Sequence, residues 1–131
     1  MSAAPYTVVA TDNAPKAIGP YVQAVKHNGI IYASGSVPFI PETMEIIEGG
    51  IEAQAEQMFK NVKAVMDGSN TDASHVLKTT VFLKDMGDFA KFNAIYEKFY
   101  SPYKPARSCV EVARLPKDVL CELEFIAIEK K

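Results

Sequence analysis

Asn28-Gly29 stands between two β-prone runs, residues 22–26 and 30–34. The two-residue hairpin loop that best matches strand twist needs positive φ at both central positions, and Asn-Gly tolerates this well. The pair predicts an antiparallel hairpin and commits the chain to a sheet. Residues 6–10 read as a short strand before it. Residues 38–50 read as a loop, broken by Pro38, Pro41, Gly49 and Gly50.

Residues 51–67 change period. Ile51, Ala55, Met58, Phe59, Val62, Val65 and Met66 recur at spacings of three and four, which is one face of a helix. Gly68 suits a left-handed stop after it. Residues 76–84 are rich in β-branched side chains and read as a strand. Asp88 suits the cap of a second helix running to about Tyr100, with Phe89, Phe92, Ile95, Tyr96 and Phe99 on its apolar side. Pro102 and Pro105 end that helix. Two further strands follow, with residues 115–118 as a turn between them. The order is β-β-β-α-β-α-β-β, an α+β chain with a two-layer mixed sheet and two helices on one face. Residues 1–131 form a single domain on this reading. Several strands are apolar on both sides, yet two helices cover one face only. A second copy of the chain is therefore expected to cover the other.

Net charge is −2 and 48% of the residues are hydrophobic. The first argues against a general nucleic-acid or anionic-membrane binder, and the second against a disordered chain. No apolar run approaches the roughly 18–20 residues of a transmembrane helix. The first fifteen residues lack the pattern of a secretory signal or a mitochondrial presequence, so the expected location is cytoplasmic, with a cleaved mitochondrial precursor as the alternative.

His27 and His75 lie in no HxxxH or HExxH spacing, and no metal site is expected. Cys109 and Cys121 form no CxxC pair and read as reduced core thiols. A nucleophilic Cys109 would need a base, and neither histidine is placed for it by sequence. Arg107 is the residue that asks for explanation. Strand alternation puts Arg107, Cys109 and Glu111 on one side, and Ser108, Val110 and Val112 on the other. A guanidinium there either grips a ligand carboxylate through paired hydrogen bonds or serves a structural ion pair. Glu122 and Glu124 share one side of the last strand, where an inward carboxylate is paired, working or simply solvated. A plain hairpin closed at residues 115–118 would set Glu122 near Glu111. A meeting with Arg107 then requires a bulge, a twist or a neighbouring subunit. Tyr21 places a phenol at the start of the first hairpin, and Gly35 at a strand end permits close approach to the backbone.

The stretches "AIGPYVQAV", "YASGSVP", "EQMFKNVKAVM", "KTTVFLKDMGDFAKFNAIYEKFY" and "KPARSCVEVARLPKD" run in order through nearly the whole chain. Together they resemble the Rid (YjgF) family in its RidA branch. The resemblance implies a chorismate-mutase-like, YjgF-like fold assembled as a homotrimer around a central barrel-like core, with clefts between subunits. It implies hydrolysis of reactive 2-imino and enamine acids, such as 2-aminoacrylate and 2-iminobutyrate, to 2-keto acids and ammonia, without a cofactor. That activity protects the pyridoxal-phosphate enzymes that release such intermediates. By position, Arg107 resembles the arginine that holds the substrate carboxylate, and Cys109 the cysteine lining the pocket. Glu122 resembles the acid that places or activates water, and Tyr21 the pocket tyrosine. Gly35, Phe89 and Asn93 match positions lining the cleft. Ser36 departs from the glutamine common after "SG", which bears on substrate preference. Two rival functions stand beside this one. A nuclease or translation inhibitor would need a basic track for phosphates. A non-catalytic binder of keto acids or of a partner protein would share Arg107.

Overall fold

The computed structural model describes residues 4–131. Residues 1–3, counted in the single domain expected over 1–131 and in the leader reading, lie outside the described residues. Thr7–Val9 (β1) pairs antiparallel with Ala24–His27 (β2), which pairs with Ile30–Ala33 (β3). Asn28 and Gly29 have φ of 52° and 76°, as the tight hairpin demands. Then come helix Ile51–Gly68 (α1), strand Val76–Leu83 (β4), helix Phe89–Phe99 (α2), and strands Ala106–Glu111 (β5) and Cys121–Ile128 (β6). The expected order of elements is thus present, as an α+β fold with two helices and a six-stranded sheet.

The sheet order is β1-β2-β3-β6-β4-β5, with β4 and β5 parallel and all other pairs antiparallel. The last two strands therefore form no hairpin. Leu115–Asp118 is a crossover: Pro116–Asp118 makes a 3-10 turn in which Lys117 and Asp118 both take left-handed φ, 51° and 61°. The crossover carries the chain past β4, so that β6 enters the middle of the sheet. A local turn signal cannot tell a hairpin from such a return, because the choice rests on long-range pairing.

α1 buries all seven residues of its expected stripe. Phe92 and Tyr96 of α2 pack beside it, and the rings of Phe59, Phe92, Tyr96, Phe99 and Tyr100 form one cluster. Each such side chain, fully buried, contributes about 1.5–3 kcal/mol. Two helix ends differ from the sequence reading. Gly68 is the last helical residue, and Asn70 takes the left-handed turn with φ of 61°. Gly68 instead admits close packing, since a methyl there would sit 3.3 Å from Thr11 Cβ. Asp88 occupies the N-cap of α2 without a side-chain cap bond. Asp85 does the capping one turn earlier, its Oδ1 accepting from Gly87 N at 2.8 Å.

The sheet face away from the helices is covered only in part. Phe39, Leu115 and Val119 form a second, small core against Phe82 at one end. Elsewhere Tyr32 and Val110 stay about half exposed, at 48% and 43%.

Candidate active site

Sheet register decides where each candidate side chain points. Arg107 pairs with Thr79, which pairs with Phe125, and both partners are buried beneath the helices. Arg107 therefore lies on the helix side of the sheet, and Cys109 follows opposite Val81. Arg107 Nη1 donates to Asn93 Oδ1 at 2.7 Å. Its guanidinium carbon stands 4.6 Å from the ring centre of Tyr96 and 5.4 Å from that of Phe89. Phe89, Asn93 and Tyr96 occupy positions i, i+4 and i+7 of α2, one helical stripe. Two aromatic faces and one amide thus hold the fork. Among the described residues no carboxylate lies within ion-pair distance of it. An open cleft lined by Asn93, Tyr96, Glu97, Tyr100, Lys104, Pro105 and Arg107 lies against it, with the Glu97 carboxylate 3.7 Å from Lys104 Nζ.

Cys109 is partly buried against the main core. Burial pushes its thiol pKa up, and the Arg107 charge offsets that only in part. The neutral thiol is favoured at pH 7, which weighs against a thiolate nucleophile. Cys121 is fully buried, its pKa pushed up to about 12 mainly by burial.

Glu122 pairs with Phe82, in turn opposite Val110, and so lies on the other face of the sheet. Its groove is lined by Tyr21, Gly35, Val37, Phe39, Pro116 and Glu124. Burial, then the Glu124 charge, raises the Glu122 pKa above that of an ordinary glutamate. Ser36 and Leu123 exchange backbone hydrogen bonds of 2.8 and 3.1 Å, which sets Gly35 directly beside the Glu122 carboxylate. A methyl on Gly35 would collide with that carboxylate. Tyr21 reaches the groove from a tight turn, its N–H donating to Gly19 O at 2.8 Å. Two buried polar residues of α1 fix the walls. Asn61 Nδ2 donates to Val37 O and Phe39 O, both at 2.8 Å, and Gln54 Oε1 accepts from Leu120 N at 2.8 Å.

The seven candidates thus fall into two groups. Arg107, Cys109, Phe89 and Asn93 gather around β5 and α2, while Tyr21, Gly35 and Glu122 gather on the opposite sheet face. One chain does not bring the two together. Sequence reasoning treated Tyr96 as core alone. The signal that finds it is its helical spacing from Phe89 and Asn93. His75 is occupied locally, its Nδ1 at 2.8 Å from Asp72 Oδ1, and His27 is exposed at the end of β2.

The arrangement can hold a carboxylate at one group and manage a proton at the other. A protein-family model described as Endoribonuclease L-PSP matches residues 11–129. A protein of Escherichia coli K12 named 2-iminobutanoate/2-iminopropanoate deaminase is 50% identical over 125 residues, covering 93% of this chain and 97% of that one. The crystal structure of yeast Mmf1 superposes with a TM-score of 0.92 at 46% identity, covering 95% of this chain and 99% of that one. That of Escherichia coli TdcF with bound serine superposes at 0.89 with 41% identity and the same two coverages.

Proposed function

This chain belongs to the Endoribonuclease L-PSP family, and from that premise we propose that it is a deaminase of short 2-imino and enamine acids. The observation that carries the reading is Arg107, held by Asn93 and two aromatic rings yet given no carboxylate within ion-pair reach among the described residues. A fork so fixed suits a ligand carboxylate. The deaminase name of a relative at 50% identity and the serine bound to another support the same ligand class.

The reaction adds water to R–C(=NH)–COO⁻ and yields R–C(=O)–COO⁻ and NH₃. Arg107 binds the carboxylate. Protonation of the imine nitrogen makes C2 electrophilic. Glu122 takes a proton from water as its oxygen bonds to C2, and returns it to the amine as the C–N bond breaks. The C2 hydroxyl becomes the carbonyl by releasing one proton, which balances the one that first protonated the imine. Tyr21 offers a phenol beside the same carbon. Cys109 lines the pocket. General acid–base help of this kind gives about 10²–10⁴-fold, with positioning in addition. No nucleophile of the protein is consumed.

Because the two groups lie on opposite sheet faces, a complete site requires a second chain. A homotrimer, with Arg107 of one subunit facing Glu122 of the next, accounts for both the split site and the half-exposed Tyr32 and Val110. Two carboxylates, Glu122 and Glu124, in the groove oppose a phosphate backbone, so the nuclease reading draws no support from this surface.

The test is a coupled assay. A pyridoxal-phosphate dehydratase generates 2-aminoacrylate from serine or 2-iminobutyrate from threonine, and keto-acid release is followed. Wild type accelerates release, and an Arg107→Ala protein of unchanged oligomeric mass does not. No acceleration over buffer by wild type sinks the reading. A protein that binds keto acids equally well with and without Glu122→Gln, and turns over nothing, is a binder instead.

A further inference from the structure

On the helix side of β4, Thr79, Val81 and Leu83 form a row, each 0% exposed. Thr79 is the polar member of that row, at a place where isosteric valine would pack with no hydroxyl to satisfy. Its hydroxyl finds a partner on another element. Thr79 Oγ1 lies 2.6 Å from the Tyr96 phenol oxygen, buried between β4 and α2. The same tyrosine ring carries the Arg107 guanidinium over its face, at 4.6 Å. Arg107 in turn pairs with Thr79 in the parallel β4–β5 register. Strand neighbour, hydrogen bond and stacked cation thus close a loop of three residues.

The rings of Phe59, Phe92 and Tyr100 also pack on Tyr96. Apolar contact of that kind is non-directional and lets a ring tilt and slide. A hydrogen bond at the far end of the ring is directional. It pins the phenol to the strand beside Arg107, so the ring face stays under the guanidinium. It also ties α2 to β4 where the helix brings Asn93, one turn before Tyr96 and 2.7 Å from Arg107 Nη1. One buried bond thus sets the place of Tyr96 directly and that of Asn93 through the helix.

We propose that Thr79 is a positioning residue of the site: through the Tyr96 phenol it holds the Arg107 fork in the orientation that receives a ligand carboxylate. The inference rests on the reading of Arg107 as the carboxylate holder. Thr79, fully buried, touches no ligand itself. Its effect falls on binding, because the fork meets the carboxylate alike in the imine and in the keto-acid product. Loss of such uniform binding raises KM and leaves kcat unchanged.

Thr79→Val, Thr79→Ser, Tyr96→Phe and the Thr79→Val/Tyr96→Phe double variant, each checked for oligomeric mass, are titrated with 2-oxobutyrate by calorimetry and assayed on 2-iminobutyrate. Thr79→Val and Tyr96→Phe each weaken keto-acid binding and raise KM by about three- to tenfold, with kcat nearly unchanged. Thr79→Ser keeps wild-type affinity. Each of the two single variants orphans a buried hydroxyl and lowers the denaturation midpoint, whereas the double variant removes both partners and restores it. Its affinity stays as low as that of either single variant, a loss that a merely structural bond does not produce. Should Thr79→Val fail to fold, Tyr96→Phe and the double variant carry the test. Wild-type affinity in folded Tyr96→Phe or in the double variant overturns the positioning role. Binding by wild type with no turnover of any imine, alongside weakened binding in the variants, overturns the deaminase reading and leaves the positioning role standing. A wild type that binds no 2-oxobutyrate overturns both.

Discussion

Arg107 and Glu122 stand on opposite faces of one sheet, with β4 between the strands that carry them. Alternation along each strand and the observed register fix this parity. No side-chain rotation within a single chain reverses it. On the proposed reading a complete site therefore takes its two halves from different chains, and each half has its own test.

On the arginine side, the fork matters more than the charge. Arg107→Lys keeps the cation but loses the paired donors and the flat stacking on Tyr96 and Phe89. Hydrogen bonds to charged groups are worth about 1.5–3 kcal/mol each, so Arg107→Lys loses roughly 10–100-fold in kcat/KM, and Arg107→Ala more. Asn93→Ala, which only frees the fork, loses about tenfold and mainly through KM. Steady-state kinetics on 2-iminobutyrate check all three. Full activity in Arg107→Lys would contradict a bidentate role.

On the glutamate side, the raised pKa sets the acid limb. A base works deprotonated, and burial holds the Glu122 proton to higher pH than in an ordinary glutamate. As pH falls, kcat/KM is therefore lost at a pH above the usual carboxylate range, and Glu122→Gln abolishes that limb together with most of the rate. Stability runs the other way. A carboxyl whose folded pKa is raised opposes folding once pH exceeds its unfolded value. Glu122→Gln is thus at least as stable as wild type at pH 7, which thermal melts at pH 4 and pH 7 will read. A variant that is both inactive and less stable at pH 7 would mark Glu122 as structural.

The wall of the Glu122 groove depends on α1. Asn61 is 1% exposed and holds the carbonyls of Val37 and Phe39. Asn61→Ala leaves both without that donor and costs about 2–4 kcal/mol, read as a lowered denaturation midpoint. Activity per folded molecule falls as well, because Val37 and Phe39 line the groove. A change below about 0.5 kcal/mol would show that water replaces the amide without loss.

Much of the fold is written locally. The Asn28-Gly29 hairpin and the seven-residue stripe of α1 are short-range patterns with one physical solution each. The insertion of β6 between β3 and β4 is not local. It is chosen by pairing with β4, some forty to fifty residues away, and with β3, more than ninety residues away, and "LPKD" looks the same at a hairpin or at a crossover. Asp88 stands at the N-cap of α2 as its sequence position suggests, but the side-chain cap bond is made by Asp85 to the preceding turn, and only the backbone tells which side chain reaches an N–H. The site divides in the same way. Residue types and strand alternation single out Arg107 and Glu122, but their relation depends on how many strands separate them. Tyr96 escaped because an aromatic on an apolar stripe reads as core, and here it serves both core and guanidinium.

Subunit complementation tests the central claim most directly. Arg107→Ala and Glu122→Gln proteins, each inactive alone, are unfolded together, refolded as a mixture and assayed for keto-acid release, with mixed oligomers verified by native mass spectrometry. If each site takes Arg107 from one subunit and Glu122 from its neighbour, random mixing of equal amounts restores about a quarter of the sites. Activity near that fraction of wild type is the predicted result. Mixed oligomers as inactive as either parent would contradict a site shared between chains.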